Sequence, residues 1–367
     1  MEFLILFIIV LFLSYANGSN DVSKGIATLV GSGVANYQRA ILWGIVWTAI
    51  GSLLSAMISV NMLTTFGKGF VTDGVFNNFD FLFSITAGAS GWVILASGIG
   101  MPVSTTHAIV GAIVGAGLVF TGWDGVMWGS VFNKIFIPLL LSPLLSFTLT
   151  FIIFTLIKIQ LSEAANYCLC LESRQNVFVQ CSKGDTTLSA DTGEVGIVVD
   201  EEKVCKNNFV TTLRLNLLDA MHWISSGFVC MTRGLNDTPK IAVIILSSTL
   251  FTPKWVFFFL TLAMTIGGYL YGMKTTETLS FKITRMNHTE GFTSNLVTSI
   301  LVGSASYLGL PVSTTHISSS AIIACGFKKG GGYVDKKIVN EILLAWLVTV
   351  PASAMFSTLI YLILRTL

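Results

Sequence analysis

Long apolar runs recur along this chain, near 41–60, 81–100, 126–157, 213–250, 255–272, 291–309 and 338–364, separated by short polar stretches. A helix needs about 20 apolar residues to cross roughly 30 Å of hydrocarbon, so each run predicts a spanning helix. The first 16 residues carry Glu2 where a secretory leader would be basic and have no Ala-x-Ala cleavage site, so they read as the first half of another. Two further runs, 103–120 and 311–327, are apolar but short, and each opens with hydroxyl residues. From 158 to 208 the chain turns polar and charged, with β-prone runs at 176–180 and 195–199. This predicts a small polar β-rich insert outside the bilayer, most simply a β-hairpin.

The segments on either side of the insert share one order of features. Gly18-Ser-Asn-Asp answers to Gly234-Leu-Asn-Asp, and Pro102-Val-Ser-Thr-Thr-His to Pro311-Val-Ser-Thr-Thr-His. The chain therefore reads as a duplication: a first membrane repeat over 1–157, the insert over 158–208 and a second membrane repeat over 209–367. At each Pro-Val block a helix should stop, because proline lacks the helical amide and disfavours helix at the residue before it. Hydroxyl residues then cap the next, short helix. Helix, break and short helix make a re-entrant hairpin, tolerable at membrane depth only inside protein or along a cavity. Three crossings plus one hairpin per half is an odd count, which inverts the second half relative to the first. The expected fold is an all-α integral membrane protein of two inverted repeats, with discontinuous helices, re-entrant hairpins and the β-rich insert. The parity depends on 126–157, where Pro138 and Pro143 leave open a second crossing.

Composition agrees with the pattern: 53% of residues are hydrophobic, 11% are charged and mean hydropathy is +0.77. A net charge of +2 gives no reason to expect a nucleic-acid partner. The partners expected are a lipid bilayer and small ions, and a homo-oligomer is compatible with the chain. Cytoplasmic loops collect Lys and Arg. Arg39, the insert, Lys274, Lys282, Arg285 and the lysines at 328, 329, 336 and 337 then lie inside, which puts both termini outside a cell membrane and the insert in the cytoplasm. Cys168, Cys170, Cys181 and Cys205 all fall in the insert. Their spacing is poor for a metal, so no transition metal is expected and a reduced cytosolic set is the simpler reading.

Asp21 and Asp237 carry the chemistry. A carboxylate at membrane depth costs roughly 2.5–3.5 kcal/mol, so such a residue needs a function or a partner. Asn20 and Asn236 beside them, with neighbouring glycines, favour unwound helix, whose carbonyls would join amide and carboxylate oxygens as hard ligands for a small cation. Lys24 and Lys240 stand three residues on, where plain ion pairing is the alternative. Ser104, Thr105, Thr106, Ser313, Thr314 and Thr315 offer hydroxyls and free amides at helix N-termini, a donor array suited to a tetrahedral oxyanion. Neither block contains Arg or Lys, so dipoles and co-bound cations would have to meet the anion's charge. His107 and His316 read as packing residues rather than proton carriers.

These motifs resemble the signature of the inorganic phosphate transporter (PiT) family of sodium- or proton-coupled permeases. The likeness covers nearly all of the chain outside 158–208. It implies an inverted-repeat secondary transporter, not an enzyme, importing inorganic phosphate with sodium by alternating access. Asn20, Asp21, Asn236 and Asp237 would help bind sodium, and the two Ser-Thr-Thr triplets would hold phosphate. Sodium is then a co-substrate, and no cofactor is expected. Position 24 in the family is commonly a small residue and position 233 often His, so Lys24 and Arg233 depart from the pattern. The alternatives are a proton-coupled phosphate or sulfate permease of the same fold and, more remotely, an intramembrane enzyme acting on phosphate esters.

Overall fold

The computed structural model describes residues 2–58, 60–68, 70–72, 74–173, 195–201, 211–246 and 252–366. The helices are α1 (Glu2–Asp21), α2 (Ser23–Gly31), α3 (Tyr37–Ile58), α4 (Val60–Lys68), α5 (Phe79–Gly98), α6 (Thr105–Thr121), α7 (Trp128–Val131) and α8 (Ile137–Ala164). After the insert come α9 (Leu217–Leu246), α10 (Pro253–Tyr271), α11 (Met273–Glu277), α12 (His288–Tyr307), α13 (Thr314–Lys329) and α14 (Lys336–Thr366). Among the described residues six helical stretches are long and apolar enough to cross a membrane: Glu2–Gly31, Tyr37–Ile58, Phe79–Gly98, Leu140–Ala164, Pro253–Tyr271 and Lys336–Thr366. Helix α9 has the length but contains Asp219, Arg233, Asp237 and Lys240.

One open point closes and two expectations change. The stretch holding Pro138 and Pro143 does not turn back: α7, a π-helical turn at Phe132–Phe136 and α8 follow one another without reversal, with Pro138 near the start of α8 and Pro143 inside it. The unwinding expected at the Asn-Asp pairs is also missing. Only Val22 separates α1 from α2, and its backbone angles are helical. Helix α9 runs through Asn236, Asp237 and Pro239. In addition, the polar stretch and the residues just after it form three strands, β1 (Tyr167–Ser173), β2 (Val195–Glu201) and β3 (Thr211–Asn216), paired antiparallel in the order β2-β1-β3 rather than as one hairpin, so the sheet runs past the boundary expected at 208. Cys168 on β1 is disulfide-bonded, against the reduced set expected. Cys181 and Cys205 lie outside the described residues.

The breaks at the two Pro-Val blocks are real and built alike. Helices α5 and α12 each end on a glycine with positive φ, Gly100 at 77° and Gly309 at 69°. The amides of Met101 and Leu310 reach back to the carbonyls of Ala96 and Ala305, both at 2.9 Å. This is the glycine-terminated helix end that satisfies free carbonyls before the chain turns. Ser104 and Ser313 then cap α6 and α13, accepting from the amides of His107 (3.3 Å) and His316 (3.2 Å). Glycine stops each helix, proline prevents its resumption and serine starts the next.

Packing between the halves is crosswise and reciprocal. Helix α1 packs on α10 while α9 packs on α3, and α6 packs on α14 while α13 packs on α8. Glycines allow the first pair of crossings. A Cβ on Gly18 would lie 1.9 Å from the Met264 carbonyl oxygen, and one on Gly234 would lie 2.6 Å from that of Thr48. A Cβ on Gly51 would lie 1.9 Å from the Met231 oxygen and one on Gly267 2.0 Å from that of Tyr15. In each case the two residues that correspond between halves are 216 positions apart, the separation of Asn17 and Arg233. Contacts in which i meets j′ while j meets i′ are those a twofold relation produces.

Candidate functional site

The site forms where the buried end of α1 and the middle of α9 meet the tips of both hairpins. Asp21 is 2% and Asp237 3% exposed, and Lys24, Lys240 and Arg233 are at most 1% exposed. All six hydroxyl residues of the triplets are buried as well. Asn17 ties the halves together: its Nδ2 donates to Asp21 Oδ2 (2.8 Å), Thr105 Oγ1 (3.0 Å) and Asp237 Oδ2 (3.2 Å). Thr105 Oγ1 in turn donates to Asp21 Oδ2 at 3.2 Å. The first Asn-Asp pair and the first triplet are therefore in contact.

In the second half the acid and the triplet are joined through Asn236 instead. Asn236 Nδ2 donates to the Val312 carbonyl (3.1 Å), to Thr314 Oγ1 (3.4 Å) and to Asp237 Oδ1 (2.9 Å). The hairpin tips also grip each other: Thr106 Oγ1 donates to the Val312 carbonyl at 3.4 Å, and its counterpart Thr315 Oγ1 donates to the Val103 carbonyl at 2.7 Å. The ring centroids of His107 and His316 lie 4.5 Å apart with the planes tilted by 31°, and His316 stacks on Trp346 at 3.9 Å. Both histidines are thus packed, as the sequence reading expects.

The asparagines explain why the backbone stays helical. Asn20 Nδ2 donates to Ser97 Oγ (3.0 Å) and the Met101 carbonyl (2.9 Å), while its Oδ1 accepts from the Val103 amide (3.1 Å). One amide side chain so satisfies backbone groups on both sides of Pro102, and the polar groups meet across helices rather than through unwinding.

Charge is where sequence reasoning fell short. Each Asp is paired with the lysine three residues on, Asp21 with Lys24 at 2.5 Å and Asp237 with Lys240 at 3.3 Å. Lys240 Nζ also donates to Thr106 Oγ1 (2.7 Å) and the Val312 carbonyl (3.1 Å), so a cation does reach the triplets, from outside them. Arg233, the positional counterpart of Asn17, contacts Asn17 Oδ1 through Nη1 at 3.5 Å. Its Nε and Nη2 are buried without a hydrogen-bond partner, and its charge acts on both carboxylates. With two acids and three bases, the cluster carries one formal positive charge in excess. A buried, half-satisfied guanidinium is costly, and an oxyanion would satisfy it. Its signal in the sequence was an arginine directly before the second Gly-x-Asn-Asp.

The profile of the phosphate transporter family matches residues 17–357, a span that includes both Asn-Asp pairs and both triplets. The chain belongs to the phosphate transporter family. Similar chains include one from Pyrococcus abyssi (strain GE5 / Orsay) named as a phosphate permease, 27% identical and aligned over 98% of this chain and 97% of that one. Another, from Rhizobium meliloti (strain 1021), is named as a low-affinity inorganic phosphate transporter; it is 27% identical, over 96% of this chain and 93% of that one. Among solved structures, "The sodium-dependent phosphate transporter" superposes with a TM-score of 0.77 at 24% identity, over 100% of this chain and 99% of the other. That likeness establishes the fold. The family and its members are transporters and permeases rather than enzymes, and this member is a multi-pass membrane protein.

Proposed function

We propose that this phosphate transporter imports inorganic phosphate by alternating access, coupled to sodium, with the halves 1–157 and 209–367 as inverted repeats around the 158–208 insert. One observation carries the reading: both Asp carboxylates, both hydroxyl-bearing hairpin tips and three buried cations converge in one cluster where the two halves meet. Phosphate is held by Ser104, Thr105, Thr106, Ser313, Thr314 and Thr315, with Arg233 supplying the charge that neither triplet contains. The glycine-lined crossings, reciprocal between halves, are the surfaces on which one half rocks against the other.

Sodium coupling rests on the Asn-Asp pairs, Asn20 with Asp21 and Asn236 with Asp237. In the second pair Asn236 Nδ2 donates to the Asp237 carboxylate while Asn236 Oδ1 is buried without a partner, and amide and carboxylate oxygens suit a hard cation. The excess positive charge of the protein groups favours a singly charged phosphate, and each sodium that enters admits a further negative charge.

Uptake of labelled phosphate and sulfate into proteoliposomes, with and without an inward sodium gradient, tests the reading. Sodium-stimulated phosphate uptake is expected. Equal uptake without sodium would remove the coupling ion and favour protons, and faster sulfate uptake would reassign the anion. Orientation is proposed from the lysine-rich loops, with both termini outside a cell membrane and the insert in the cytoplasm. The Cys168 disulfide points the other way, since such bonds persist in oxidising compartments.

A further inference from the structure

The two halves differ at the cation pockets. In the first half Lys24 Nζ donates to the Asn20 carbonyl oxygen (2.6 Å), Asn20 Oδ1 (2.5 Å) and Asp21 Oδ1 (2.5 Å). A backbone carbonyl, an amide oxygen and a carboxylate are the ligands a small hard cation would take at this spot, and here one ammonium uses all three of its donors on them. Lys24 is wholly buried, so no water competes for the same oxygens. In the second half the equivalent lysine has turned elsewhere. Lys240 Nζ serves Thr106 Oγ1, the Val312 carbonyl and, at 3.3 Å, Asp237 Oδ1, and it leaves Asn236 Oδ1 buried with no partner. Equivalent sequence positions thus produce one pocket filled by the protein's own cation and one with a free oxygen.

We propose that the Lys24 ammonium is a tethered counter-ion that takes the place of a sodium ion in the first half, so that sodium binds only at the Asn236–Asp237 pair. This rests on the reading of the chain as a cation-coupled phosphate transporter. A tethered cation neutralises Asp21 in every step of the cycle, but it cannot cross the membrane. The first half therefore contributes nothing to the energy drawn from a sodium gradient, and the transporter runs on one sodium fewer than a protein with two open pockets. Lys24 is accordingly a residue that sets coupling stoichiometry, acting on the ion rather than on phosphate.

The test uses the purified full-length protein in proteoliposomes, with choline replacing sodium, and two measurements: the Hill coefficient of phosphate uptake against sodium, and the ratio of labelled sodium to labelled phosphate carried. For the unaltered chain a Hill coefficient no greater than one is expected. In Lys24→Ala, which opens the pocket, the coefficient should rise above one and the flux ratio by one sodium. Sodium chloride should also raise the melting temperature of Lys24→Ala over its value in choline chloride by more than it does for the unaltered chain. That binding readout does not depend on transport. An unaltered chain that carries two or more sodium ions per phosphate overturns the proposal, and needs no variant to fold. So does a Lys24→Ala protein whose flux ratio and sodium-dependent stabilisation match those of the unaltered chain. If the unaltered chain takes up phosphate without sodium while Lys24→Ala acquires sodium dependence, the tethered cation stands and sodium coupling of the natural protein falls.

Discussion

A methyl group added at Gly51 meets the Met231 carbonyl oxygen at 1.9 Å, where real Cβ atoms essentially never come closer than 3.0 Å. The neighbour is backbone, so no rotamer change relieves the clash and helices α3 and α9 must part by about 1 Å at the crossing. Overpacking of this kind costs roughly 1–3 kcal/mol. Alanine's better helix propensity returns about 1 kcal/mol, so a net loss of up to about 2 kcal/mol is expected. A Cβ on Gly267 would lie 2.0 Å from the Tyr15 oxygen in the mirrored crossing, so Gly267→Ala should lose a similar amount. Gly91, with nothing within 4 Å, is the control: Gly91→Ala should be neutral or slightly stabilising. Thermal unfolding of the detergent-solubilised protein measures all three. If Gly51→Ala and Gly267→Ala melt together with Gly91→Ala, the close, reciprocal interlock of the two halves is wrong. Small residues are the usual means of such approach in lipid, where helix association depends on packing rather than on the hydrophobic effect.

Asp21→Asn leaves the Lys24 ammonium buried without its carboxylate, a loss of about 3–5 kcal/mol. Adding Lys24→Met should restore most of the denaturation midpoint, which a plain packing defect at Asp21 would not allow. Arg233→Gln removes charged hydrogen bonds to the anion, worth about 1.5–3 kcal/mol, and should raise the phosphate KM roughly 10- to 100-fold in uptake assays; an unchanged KM separates Arg233 from the anion. Ser104→Ala removes the cap on α6 and should cost about 1 kcal/mol of stability, measured by thermal unfolding. A cysteine placed at exposed Glu163 should react with an impermeant maleimide only after cells are opened, and labelling of intact cells would put the insert outside, in accord with the Cys168 disulfide.

Much of the molecule was legible in the chain because membrane proteins obey a strong local rule: backbone in lipid must satisfy itself, so apolar length announces a helix. The hairpin breaks were equally local, since Pro102 and Pro311 forbid the helix that Ser104 and Ser313 then restart. The added part played by Gly100 and Gly309 is visible only in their backbone angles. Local reasoning failed at Asn236, where the asparagine and a neighbouring glycine suggested unwinding. The side chain instead reaches Val312 and Thr314 across the site, and α9 stays helical through Asp237 and Pro239.

By itself the sequence determined that this chain lives in a bilayer, that its Asn-Asp and Pro-Val-Ser-Thr-Thr-His motifs each occur twice in the same order, and that two acids and two hydroxyl triplets are the groups to watch. Those properties follow from hydropathy, identity of motifs and the cost of burying charge, none of which needs coordinates. Only the tertiary structure decided what else each paired lysine touches. Lys24 and Lys240 occupy the same motif position, yet one closes on Asn20 and the other turns to Thr106. A lysine's long stem lets its charge reach several partners, and the choice among them depends on oxygens contributed by helices far away in the chain.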